Sequence, residues 1–141
     1  MTGPLVLVAC GARKADHPRP ARDLYTGSYT RMCLQAALIL APAEQVRIVS
    51  ARHGLVELAT VLDPYDTAIT DPDAITADEL HEQATEHQLL GRDVIVFGGA
   101  KYTTLVRQVW PYAVAPLAGQ GGIGYQLRYL AGIIAAGPPR T

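Results

Sequence analysis

Leu5-Val6-Leu7-Val8-Ala9-Cys10-Gly11 places five apolar residues in a row near the start of the chain, cut off by a thiol and a glycine. Successive side chains of a strand point to opposite faces. A strand apolar at every position is therefore buried on both, as in a parallel sheet covered by helices on either side. Val46-Arg47-Ile48-Val49-Ser50 and Val94-Ile95-Val96-Phe97 are similar, each followed by glycine within a few residues, and a weaker run spans Tyr112 to Ala115. Between these runs lie helical patterns. Ser28 caps a predicted helix running to about Leu40, with Met32, Ala36 and Ile39 or Leu40 on one face. Thr76-Ala77-Asp78-Glu79 fits a capping box opening a helix to about Leu90, ended by Gly91. Lys101 to Trp110 is a third, stopped by Pro111, and a fourth runs from near Gly122 to about Ala136. This alternation predicts an α/β fold: a three-layer open sheet, mainly parallel, of four or five strands with helices on both faces. The expected organisation is one domain over residues 1–137, with 138–141 as a flexible tail.

The bulk composition narrows the class without naming a chemistry. At 49% apolar and 18% charged residues, the 141-residue chain has enough apolar material for a core, which excludes a disordered charged tail. Its 13 glycines have no period of three, which excludes a collagen-like helix. The formal net charge of -1 exerts no global pull on nucleic acid or membrane. The distribution is uneven, however. Residues 1–54 carry seven Lys/Arg against three Asp/Glu, and residues 55–141 carry five against ten, so a basic patch in the first half is available to phosphate. The alternative is a solvated surface of mixed charge. Cys10 and Cys33 form no disulfide framework or CxxC pair, and no signal-like or membrane-spanning run is present, so a cytoplasmic, reducing location is expected. His81 and His87 are six apart on a Glu-rich helix and so on different faces; no metal or cofactor is implied.

In open α/β sheets ligands bind outside the carboxyl ends of the strands. Four loops occupy that position: Cys10 to Lys14, Ser50 to Gly54, Gly98 to Tyr102 and Gly119 to Gly124. Eight of the 13 glycines fall in them, and three of the four also carry Arg or Lys. Exposed backbone N–H groups beside a cation favour an anion, so a phosphate or carboxylate ligand is expected, held by residues such as Gly11, Arg13, Lys14, Ser50, Arg52, Gly99 and Lys101. Tight turns are the competing explanation for any one of these glycines. Gly119, Gly121 and Gly124 match G-x-G-x-x-G, but no acidic residue follows about 20 residues on to hold a ribose, so the expectation is a phosphate at Gly121, Gly122 and Gly124 rather than a nicotinamide dinucleotide. The Pro-rich basic segment 13–22 reads as a mobile loop over the sheet edge, serving either as a clamp on phosphate or as a solvated charge run.

His53, between Arg52 and Gly54 just past a buried strand, is the leading candidate for proton transfer. Asp63-Pro64-Tyr65-Asp66 supplies two carboxylates and a phenol in a turn. Asp66 either orients His53 or accepts from a base or ribose; a plain Asx-type turn is the equal alternative. Cys10, beside Arg13 and Lys14, is a candidate nucleophile because nearby cations favour the thiolate, although a buried inert thiol is commoner.

Taken in order, Cys10-x-x-x-Lys14, Asp23-Leu24-Tyr25-x-x-Ser28, Ser50-Ala51-Arg52-His53-Gly54-Leu55, Asp63-Pro64-Tyr65-Asp66, Pro116-Leu117 and Gly122-Ile123-Gly124 resemble a family of small bacterial and phage domains of unknown function, distantly similar to YaaA. The resemblance runs from Val6 to about Leu130. A more distant similarity is to the domain of archaeosine synthase with a Cys-x3-Lys…Tyr-x2-Ser-x2-His motif, matched by Cys10, Lys14, Tyr25 and Ser28, with Arg31 standing where that motif has His. The resemblance implies a nucleic-acid or modified-nucleobase context. The expectation is thus a domain binding a nucleotide, nucleoside or base, with Tyr25, Ser28, Tyr65 and Asp66 positioning the base or sugar and His53 or Cys10 handling the chemistry. The expected partner is a phosphate-bearing small molecule or nucleic acid, with no membrane. A non-catalytic nucleic-acid-binding module and a partner-binding domain with a Tyr-rich surface are the alternatives.

Overall fold

The structure, a computed structural model, describes residues 3–138. Its central sheet has four strands: β1 (Leu5–Ala9), β3 (Val46–Ser50), β4 (Gly54–Glu57) and β6 (Val94–Phe97), in the order β4-β3-β1-β6. β1 runs parallel to both neighbours, with Val6 opposite Val46 and Leu5 opposite Val94, whereas β4 turns back antiparallel on β3. All five residues of β1 are buried, as a strand covered on both faces requires. Val6 and Val8 pack with Cys33, Leu34 and Ala37 of α2 (Ser28–Leu40) and Leu130 of α5 (Ile123–Ala136). Leu5 and Leu7 face the other way, onto Leu80 and Ala84 of α3 (Ala77–Glu86) and Leu105, Val106 and Val109 of α4 (Ala100–Val109). The fold is α/β, with helices on both faces of a mostly parallel sheet. Burying each such Leu or Val contributes about 1.5–3 kcal/mol, which makes β1 the anchor of both layers.

Helix boundaries follow local chemistry. α2 buries Thr30, Cys33, Leu34 and Ala37, one stripe at helical spacing, and ends just before Pro42. α3 opens with the expected capping box: Thr76 Oγ1 accepts from the Glu79 N–H at 3.1 Å and Glu79 accepts from the Thr76 N–H at 3.0 Å. It stops at Glu86, short of the expected Leu90, because Gln88 takes a left-handed backbone (φ 58°) and the Leu89 N–H reaches back to the Ala84 carbonyl.

Two other expectations are corrected. The fourth parallel run, Tyr112 to Ala115, shrinks to a single bridge: Val114 exchanges bonds with Val94 and Val96, and Pro111 and Pro116 confine the pairing. The 13–22 segment is not a free loop. Lys14 bridges to Tyr25, Arg19–Pro20 (β2) pairs antiparallel with Val61–Leu62 (β5), and the short helix α1 (Ala21–Leu24) buries Ala21 and Leu24. Ala21 and the pair Leu24-Tyr25, separated by polar Arg22 and Asp23, hold the signal for this docking. Apart from Pro138, the expected tail lies outside the described residues. Among the described residues, no helix is long and apolar enough to cross a membrane.

Candidate functional site

The chain leaves β1 for α2 on one face of the sheet and leaves β6 for α4 on the other, so a crevice opens between the carboxyl ends of these adjacent strands. The backbones crowd at its floor: a Cβ at Gly98 would lie 2.6 Å from the Ala9 Cβ. Cys10 stands at this crevice, half-buried. Its Sγ accepts from the Ala51 N–H at 3.3 Å and lies 3.1 Å from the Tyr102 hydroxyl. Burial, reinforced by the contact with Cys10, pushes the Tyr102 phenol well above its ordinary range, so it keeps its proton and can offer it to the sulfur.

Beneath this lies a chain of buried hydroxyls. Ser50 Oγ accepts from the N–H groups of Arg52 (3.2 Å) and His53 (3.0 Å) and lies 2.6 Å from the Tyr65 hydroxyl. Tyr65 in turn lies 2.5 Å from the Tyr25 hydroxyl. Two N–H groups occupy the lone pairs of Ser50, which leaves its proton for Tyr65. Burial raises the Tyr25 phenol to about 12 and Tyr65 further still, so both stay neutral. The Lys14 ammonium sits 4.3 Å from the centre of the Tyr65 ring and donates to the Gly11 and Ala12 carbonyls at 3.1 and 3.2 Å. Tyr25 and Ser50 are fully buried and Tyr65 nearly so. Their hydroxyls bond one another inside the fold, next to the cleft that Tyr65 helps to wall.

His53 is half-buried, its ring edge-on to Tyr65 with centroids 5.4 Å apart. Burial first, and then the charge of Arg52, hold its imidazole below the ordinary histidine range, so it is neutral near pH 7. Its carbonyl accepts from Gln83 Nε2 at 2.9 Å, while Gln83 Oε1 accepts from the Leu55 N–H at 2.8 Å. The two bonds bracket Gly54, which is left-handed (φ 74°) and whose missing Cβ would collide with the Gln83 amide. Arg52, His53, Asp63 and Tyr65 wall a cleft of about 340 Å³.

The other candidates lie around these. Arg13, Ser28, Asp66 and Lys101 are exposed, and among the described residues no side chain pairs with Asp66. Gly11 packs against the Thr30 hydroxyl. Gly99 and Gly122 stand at the N-caps of α4 and α5, and Gly124 lies in the first turn of α5. Gly121 is left-handed at φ 98°, and its carbonyl accepts from Gln126 Nε2, whose other end is held by the Tyr29 hydroxyl at 2.7 Å. The strand-end loops do not share one cleft: Arg52 and His53 line the one above, the Cys10–Lys14 loop lines neither it nor the next, and Lys101 lines a separate one with Ile75 and Leu105. A second, of about 370 Å³, joins Gly98 and Gly99 to Gly119 and Gly121. Cys10 lines neither cleft; its sulfur is held by the Ala51 N–H and the Tyr102 hydroxyl. A larger cleft of about 490 Å³ lies by Pro4, Asp93 and Trp110 at the opposite edge of the sheet and includes none of the candidate residues. Among the described residues, no group of three or more His, Cys, Asp or Glu could hold a metal ion.

Tyr102, Gln83 and Gln126 do not stand out in the sequence as site residues. Gln83 had one available signal, a polar side chain beside buried Leu80 and Ala84 on the inward side of α3. The other two depend on contacts more than 90 residues apart along the chain.

Fold and site together define a doubly wound α/β domain with a polar cluster built around a cysteine at its topological switch point. The chain belongs to a family of unknown function (DUF6884), whose model matches residues 5–132. No curated protein and no solved structure matches the chain.

Proposed function

We propose that this domain is an enzyme or enzyme-like protein acting on a nucleotide, nucleoside or modified base of a nucleic acid, with Cys10 as nucleophile and His53 as the proton-transfer group. The observation that carries the reading is the setting of Cys10: a half-buried sulfur facing the Ala51 N–H and the Tyr102 hydroxyl, in the crevice where doubly wound folds take their ligands. The adjoining cleft supports it. A neutral His53 is able to accept a proton, Arg52 offers a cation, and the Asp63 carboxylate can accept from a base edge or sugar hydroxyl. Asp66, next to Tyr65 in sequence, and Ser28, both at the surface, take the remaining polar edge of the ligand. The similarity of Cys10-x3-Lys14 and Tyr25-x2-Ser28 to the archaeosine synthase motif, and of the wider pattern to YaaA, favours a base over other electrophiles. In this reading Tyr25, Tyr65 and Lys14 hold the architecture around the ligand, in a single domain working in the reducing cytoplasm, where the thiol remains free.

A thermal-shift and calorimetric screen of nucleotides, nucleosides and 7-deazaguanines tests it. A ligand that binds the native state raises the melting temperature. One of these classes is expected to do so, with the response weakened by His53→Ala. No response to any of them removes the reading.

A further inference from the structure

The geometry points to an anion site, suited to a phosphate group, in the cleft between the first turn of α4 and the Gly119–Gly121 segment. Three observations converge there. First, α4 begins at Gly99 with no side-chain cap, in contrast to the full capping box of α3, so its leading N–H groups have no oxygen of their own to bond. Gly99 has an ordinary φ of -73°, and a Cβ there would meet nothing within 4 Å. Neither backbone conformation nor packing requires glycine at this position, and its absent side chain leaves the backbone bare beside an open cleft.

Second, Thr103 lines the same cleft, is only 7% exposed, and its hydroxyl has no hydrogen-bond partner among the described residues. No fully enclosed side-chain polar atom goes unsatisfied among the described residues, so this hydroxyl keeps some exposure, and the cleft is open space that Thr103 lines. A nearly buried donor left for an external acceptor is the second, independent mark of a ligand. Third, the charge is one-sided. Arg107 is on the wall, tethered through Nε to the Ala113 carbonyl at 3.1 Å, with the rest of its guanidinium free of that bond, and no Asp or Glu lines the cleft. Gln126, bonded to the Gly121 carbonyl, holds the far side in place.

Thr103 and Arg107 are additions to the candidate residues, and the cleft is separate from the one beside His53. The inference rests on the reading above only for what the phosphate is attached to: a nucleotide lying past Cys10, its base toward His53 and its phosphate toward Thr103. The anion site stands on its own observations.

Its test is an NMR titration of the full chain with inorganic phosphate, chloride being exchanged to hold ionic strength constant. The amides of Ala100, Lys101 and Tyr102 are expected to shift along a saturable curve. Thr103→Val, which removes a hydroxyl with no internal partner, should keep the melting temperature and weaken binding about tenfold. Gly99→Asp supplies an internal carboxylate to the same amides; it should raise the melting temperature and abolish the phosphate response. Shifts no larger than those of chloride, or equal in wild type and both variants, overturn the site. Phosphate binding with no response to any nucleoside keeps this site and removes the nucleoside reading. Nucleoside shifts at Arg52 and His53 with none from phosphate at α4 do the reverse.

Discussion

The sulfur of Cys10 and the hydroxyl of Tyr102 lie 3.1 Å apart, so the first strand and the helix after the last parallel strand share one polar contact. The contact crosses the crevice and holds Cys10 where it is only half-buried, in contrast to Cys33, which is 1% exposed inside α2. The two thiols of this chain should therefore behave as different reagents.

Under native conditions iodoacetamide is expected to modify Cys10 and spare Cys33, whose thiol burial pushes up to about 12. Mass spectrometry of the tryptic peptides reads the outcome directly. Equal labelling of both before unfolding contradicts the packing around α2.

His53 makes stability depend on pH in a defined direction. The unfolded chain takes up this proton near pH 6.5 and the folded chain only at lower pH. Below about 6.5 the unfolded state therefore binds more protons, and stability falls until the pH passes the folded value, where the loss levels off. Above 6.5 the group contributes no pH dependence. Arg52→Gln removes the second cause of the shift and should move the ring titration, followed by NMR, back toward the ordinary value. A midpoint unchanged by that substitution shows that the Arg52 charge is not felt.

The hydroxyl chain ranks two conservative substitutions. Tyr65→Phe leaves both the Ser50 and the Tyr25 hydroxyls buried without their shared partner, at about 1–3 kcal/mol for each stranded group. Tyr25→Phe strips only the end of the chain and should cost about 1 kcal/mol. Chemical denaturation compares them. Equal losses would mean that Tyr65 is not the junction.

Gln83→Leu keeps the bulk of the side chain and removes both bonds that bracket Gly54. A loss of about 1–3 kcal/mol is expected, with faster hydrogen exchange at the Leu55 amide. Gly54→Ala should be at least as damaging, since the left-handed backbone and the Gln83 amide both oppose a methyl group. If Leu55 exchange is unchanged in Gln83→Leu, the turn carrying His53 is held by something else.

The parts of the fold legible in the sequence are those decided within a few residues. The largely apolar runs at β1, β3 and β6, the Thr76 capping box and the helix stop at Pro111 are local facts, and the three-layer fold follows from them. β4 escaped notice because Gly54–Glu57 is short and lies on an edge, with too little alternation to separate it from a turn. Of the site, the four strand-end loops were visible because glycines and cations cluster there. Their separation into different clefts was not, because it depends on where α4 and α5 sit across the sheet. Tyr25 carries the clearest lesson: the resemblance of Tyr25-x2-Ser28 to a known motif implies a ligand contact, and no local pattern announces that its hydroxyl bonds Tyr65, 40 residues on.

The strand order β4-β3-β1-β6 has a consequence for the newly made chain. β1 is the first of the sheet strands to be synthesised, yet the neighbour on its β6 side is not made until residues 94–97. At about 5–20 residues per second, an apolar strand waits several seconds with one edge unpaired. β3 arrives sooner and covers only the other edge. Through that interval the exposed edge can template pairing with a neighbouring nascent chain. Docking of β6 pairs that edge and carries α4, with Tyr102, toward Cys10, while the Gly119–Gly121 wall of the second cleft is still to be made.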